Sequence, residues 1–113
     1  MAIPYGYSMD GESRTIDQVS AAVVRRIFDE FTELYTHASL SEIAEGLNVD
    51  GIPTKRGGRW YASTVRYVLL NRTYAGADDW PLLVGASTFE AGRRALSGQD
   101  DNWFAALDYG TDF

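Results

Sequence analysis

Between residues 55 and 67 stand Lys55, Arg56, Arg59, Ser63, Thr64, Arg66 and Tyr67, a run of cations and hydroxyls with no carboxylate among them. Ammonium and guanidinium groups bind phosphate oxygens, and short hydroxyl side chains near the start of a helix can approach base edges. Lys55, Arg56 and Arg59 suit the path of a phosphate backbone, and Ser63, Thr64, Arg66 and Tyr67 suit the bases. The chemistry on offer is recognition of double-stranded DNA rather than bond making.

Other residues offer little catalysis. The chain has no Cys, which excludes a thiol nucleophile, a disulfide framework and a thiolate zinc site, and it has one His. That residue, His37, closes the first expected helix, where a cation is favourable, and it has no catalytic partner in view. Asp29, Glu30, Glu33, Glu42 and Glu45 fall on expected wet helix faces, and a solvated charge run explains them better than an acid–base pair. Glu42 and Glu45 without a nearby His make no metal motif. The expectation is a non-enzymatic chain without metal or cofactor.

The whole chain is acidic, with a formal charge of −6 over 113 residues, but the charge is not spread evenly. Residues 1–50 carry 9 acids and 3 bases, residues 51–77 carry 5 bases and no acid, and residues 78–113 carry 7 acids and 2 bases. A basic island in an otherwise acidic chain is what a small nucleic-acid surface looks like. A basic loop paired with acidic neighbours is the competing reading.

The elements that must position these residues follow from periodicity. The opening Ile3–Gly11 mixes Pro, Gly and an Asp-Gly pair with aromatics, and reads as an irregular arm or short hairpin. Asp17 can cap a long amphipathic helix with Val19, Val23, Ile27, Phe28, Phe31, Leu34 and Tyr35 on its apolar face. On its wet side Arg25 with Asp29 and Arg26 with Glu30 are spaced for intrahelical pairs. Ser39 or Ser41 can cap a second helix with Leu40, Ile43, Ala44 and Leu47 inward, and Asn48 to Gly51 supplies its stop.

Residues 52–60 contain Pro53 and the Gly57-Gly58 pair, so they read as a basic loop or wing pinned by Ile52 and Trp60. A third helix follows, with Ala62, Val65, Val68 and Leu69 on one face and Ser63, Arg66, Tyr67 and Leu70 on the other. A short fourth helix closes at Gly98. The expected architecture is mainly α: a helix-turn-helix-containing domain of three to four helices over residues 1–98. Its arm covers 1–16 and its helices about 17–36, 40–48, 62–71 and 87–97, with an acidic aromatic tail over 99–113. Two helices, a basic break and a third helix with a polar outer face make a helix-turn-helix arrangement. A plain three-helix bundle, with the glycine pair only as a turn, remains open on these residues alone.

An ordered series of segments then resembles a known family. Pro4-Tyr5-Gly6-Tyr7, Ala22–Phe28, Ser41-Glu42-Ile43-Ala44 with Leu47-Asn48, Gly51–Thr54, Arg56–Trp60, Ser63–Arg66, Asn71–Gly76 and Phe89-Glu90-Ala91 are similar to the recombinase domain of large serine recombinases. The series covers roughly residues 4–96. In that family the domain follows a catalytic resolvase-type domain and contacts attachment-site DNA, so the resemblance implies site-specific DNA binding within recombination. The nucleophilic serine and its arginines belong to the preceding domain, and the zinc ribbon that follows needs cysteines. The expectation is therefore a module that is not catalytic alone.

Three departures from the family pattern stand out. Tyr67 and Leu70 occupy an outer helix face that is usually basic, Asp78-Asp79 leads directly to Trp80-Pro81 where a longer hairpin is common, and the tail is extra. Each lowers positive potential. They motivate a second class of reading, a regulatory domain that docks on a recombinase or other protein through Trp103, Phe104 and Leu107 of the tail. With no membrane span and no signal-peptide pattern, the expected location is the cytoplasm.

Overall fold

A computed structural model describes residues 3–33 and 38–99 of the chain. Leu34, Tyr35 and His37, and the tail residues Trp103, Phe104 and Leu107, lie outside the described residues. The element order is β1 (Tyr7–Asp10), β2 (Ser13–Ile16), α1 (Gln18–Thr32), α2 (Leu40–Val49), α3 (Ala62–Leu70), two 3-10 turns (Arg72–Ala75 and Ala77–Asp79) and α4 (Ala86–Gln99). The protein is thus mainly helical with a short N-terminal hairpin. No described helix is long and apolar enough to cross a membrane.

β1 and β2 pair antiparallel in the register Tyr7 to Ile16 and Asp10 to Ser13, turning at Gly11. The arm is therefore a hairpin, and Asp17 N–H to Gly6 carbonyl, at 3.0 Å, ties its base together. Asp17 then caps α1, its carboxylate accepting from the Ser20 backbone N–H at 3.3 Å. The stripe that α1 buries runs through Ala21, Val24, Ile27, Phe28 and Phe31, with Val23 at its edge. Val19, expected on that stripe, is exposed, because it sits a turn before Val23 and off the centre of the buried arc.

α2 begins with a reciprocal capping box. The Ser39 hydroxyl accepts from the Glu42 N–H and the Glu42 carboxylate accepts from the Ser39 N–H. Those two bonds hold the Glu42 carboxyl below its ordinary value. α2 ends in a Schellman motif: Ile52 N–H donates to Leu47 carbonyl and Gly51 N–H to Asn48 carbonyl, both at 3.0 Å, with Gly51 at φ +72°.

α1 packs on α2, α3 and α4, and α3 in turn touches all three other helices. The core joins Val24, Ile27, Phe28 and Phe31 with Ile43 and Leu47 of α2, Val65 and Leu69 of α3, and Phe89 and Leu96 of α4. Phe28 and Phe89 meet at 5.9 Å between ring centres. Gly92 of α4 faces Phe28 and Leu69. α4 continues through Gly98, which does not close it.

The wet face of α1 departs from expectation at one arginine. Arg26 pairs with Glu30 as expected and also with Asp50 at the end of α2, both at 2.7 Å. Arg25 instead donates its Nε to the Leu83 carbonyl at 3.1 Å, since the Pro81–Val84 segment crosses α1 there. That segment is fixed by Leu83 and Val84 N–H groups, which share the Tyr74 carbonyl at 2.9 and 3.0 Å.

Candidate nucleic-acid interface

The connection from α2 to α3 is not a short turn but a built wing. Thr54 N–H donates to Gly58 carbonyl at 3.1 Å, Gly57 N–H to Thr54 carbonyl at 2.9 Å, and Gly58 N–H to the Thr54 hydroxyl at 3.0 Å. With Gly57 at φ +82°, this is the pattern of a three-residue hairpin loop, and it presents Lys55 and Arg56 at an exposed tip. The base of the wing is clamped by one residue. Asn48 donates its side-chain amide to the Trp60 carbonyl at 2.9 Å and accepts from the Trp60 N–H at 2.8 Å. The indole N–H of Trp60, itself 2% exposed, donates to the Ile52 carbonyl at 3.0 Å.

The arm is brought against the same region by aromatic contacts. Tyr7 stacks on Tyr74 at 5.9 Å and leans on Trp80 at 4.9 Å, and its hydroxyl donates to the Thr73 and Pro81 carbonyls at 3.0 and 2.7 Å. Arg14 lies over the Trp80 ring at 4.5 Å and donates to the Asp78 carbonyl. Asp78 and Asp79 both have positive φ, which Asp tolerates better than most residues. Gly6, at φ +101°, passes so close to Leu83 that a Cβ would lie 2.9 Å from its methyl carbon. Only glycine fits where the arm crosses. Tyr5 then projects toward the wing, its ring edge-on to Trp60 at 5.6 Å. Burial, and next the nearby Asp17 charge, raise the Tyr5 phenol above its usual value.

These three segments enclose a groove of about 400 Å3 between the arm, the wing and the outer side of α3. Lys55, Arg56, Thr64 and Tyr67 line it together with Pro4 and Tyr5, and no carboxylate is among the lining residues. Four of the seven residues singled out from sequence thus meet around one concavity. Arg59 stands apart, exposed, with its guanidinium 3.4 Å from the Glu45 carboxylate on α2. Arg66 is partly buried and outside the groove lining.

Ser63 corrects the expected outer face of α3. It is 4% exposed, because α3 is covered by α1, α2 and α4 rather than on one side only. Tyr67 and Leu70 do face outward, at 50% and 37% exposure. Sequence reasoning missed the contribution of Pro4 and Tyr5 to the groove and the clamp made by Asn48. Among the described residues no group of His, Cys, Asp or Glu is placed to hold a metal ion.

Comparison with known proteins agrees with this architecture. No curated relative matches the chain. The crystal structure of a LSR–DNA complex is similar in fold, with a TM-score of 0.68 at 17% sequence identity. The similarity covers 91% of this chain and 34% of that one, so the chain spans about a third of the length of the solved protein. A family model described as Recombinase matches residues 18–105. With most of its length matched in this way, the chain belongs to the Recombinase family.

Proposed function

We propose that the domain binds duplex DNA through the tip of the wing and the outward side of α3, and that strand cleavage is the task of another domain. One observation carries the reading: Lys55 and Arg56 are held at a hydrogen-bonded tip, beside Thr64 and Tyr67, around a groove without carboxylates in a chain of net charge −6. The similarity in fold to a recombinase solved in complex with DNA supports it. Lys55, Arg56 and Arg59 take phosphates, and Thr64, Arg66 and Tyr67 take the groove edge of the site. Ser63, buried under the neighbouring helices, supports the helix instead of touching DNA.

Few phosphates are neutralised by so small a set. With about 3 to 5 contacts the log–log salt slope is about −3 to −5, so the isolated domain binds weakly at physiological salt and gains affinity from partner domains. Fluorescence anisotropy of a labelled duplex between about 50 and 200 mM salt tests this. Binding with that slope, and its weakening in Arg59→Ala at unchanged melting temperature, is the expected result. Absence of binding at the lowest salt by folded protein removes the proposal.

A further inference from the structure

The groove offers chemistry beyond contact with an intact duplex. Its lining combines the cations Lys55 and Arg56 with the rings of Tyr67, Tyr5 and Trp60, the last two in edge-on contact, and with the Thr64 side chain. A ligand that matches this lining joins an anionic group to a flat unsaturated body with a polar edge. One nucleotide has that composition. The volume, about 400 Å3, lies in the range of pockets that enclose a single small ligand, about 300–1,000 Å3, so a duplex meets the groove at its rim and does not fill it. A nucleotide reaches the groove only when it is unstacked from its neighbours.

Resting on the duplex-binding reading above, we infer that the groove receives a single unstacked nucleotide of the bound DNA, its phosphate on Lys55 and Arg56 and its base against the ring of Tyr67. Base stacking on an exposed tyrosine tolerates any base, because every base has a π-face, and the Thr64 hydroxyl is the group available to its polar edge. The Trp60 and Tyr5 part of the lining is already ordered. Trp60 is fixed by Asn48 and Ile52, and Tyr5 by the arm whose base is bonded from Asp17 to Gly6, so closing on a nucleotide costs little ordering of that part. Extrusion costs least where a base is already unpaired, so unpaired sites are where the groove acts.

The test compares three duplexes of one sequence with the full chain: fully matched, carrying one unpaired 2-aminopurine, and carrying an abasic residue at the same bulge. The abasic duplex keeps the flexibility of the bulge and lacks the base. The expected result is about tenfold tighter binding of the 2-aminopurine bulge than of the abasic bulge, the gain from one aromatic stack, with a change in 2-aminopurine fluorescence on binding. Tyr67→Ala, an exposed position with its folding checked by circular dichroism, should erase that difference. Equal affinity for the two bulges, with the matched duplex bound, overturns the nucleotide site and leaves the duplex reading standing. Failure of all three duplexes to bind overturns both.

Discussion

The Tyr7 hydroxyl donates to the Thr73 and Pro81 carbonyls, and the phenol that does so must keep its proton. Burial pushes its pKa up to about 12, against the opposing effect of the Arg25 charge. The folded value lies above the unfolded value of about 10, so this contribution to stability is complete below pH 10 and is lost as pH rises toward 12. Tyr7→Phe should therefore flatten the alkaline loss of stability while costing about 1–2 kcal/mol near neutrality. Urea denaturation at neutral and alkaline pH measures both effects, and an unchanged alkaline limb would contradict the assignment. Glu45 is a residue of another kind. Its pair with Arg59 is open to solvent on both sides, and such pairs contribute about 0–1 kcal/mol. Glu45→Gln should leave the melting temperature nearly unchanged yet raise DNA affinity about two- to fivefold at low salt, with the two proteins converging as salt is added. Anisotropy titrations of both proteins side by side decide it.

At the scale of elements, the wing is what turns a basic stretch into a surface. Its tip is shaped by Thr54, Gly57 and Gly58, but its position relative to α2 and α3 depends on the Asn48 amide, which bonds both backbone groups of Trp60. Asn48→Ala leaves a donor and an acceptor without their partners, at a cost of about 1–3 kcal/mol each way the balance falls between water and protein. The expected outcome is a lower melting temperature together with weaker DNA binding, although no cation has been removed. A variant that melts lower and binds DNA as well as the parent would show that the clamp serves stability alone. The same element explains a difference between sequence and structure. Asn48 is legible as the end of α2, and Gly51 as its left-handed cap, since both roles follow from local rules. The two bonds to Trp60 join residues twelve apart and have no local signature.

In the whole molecule, both strands, all four α-helices and the first 3-10 turn contribute to or pack against one core, from Tyr7 of the hairpin to Leu96 of α4. Unfolding should accordingly be a single transition, with tryptophan fluorescence and far-UV circular dichroism giving the same midpoint; separate midpoints would mean that the arm and wing open independently of the helices. Much of this assembly was readable from the chain. Residue order identified the helices, the cap at Asp17, a serine cap at Ser39 or Ser41, the basic island and the family, because periodicity, capping and charge depend on neighbours within a few positions. Tertiary packing decided the rest. Ser63 is buried because three helices surround α3, Arg25 turns to Leu83 because a distant segment crosses α1, and Pro4 and Tyr5 reach the groove because Gly6 lets the arm pass Leu83. Each of these depends on contacts between segments far apart in sequence, which local propensity does not encode.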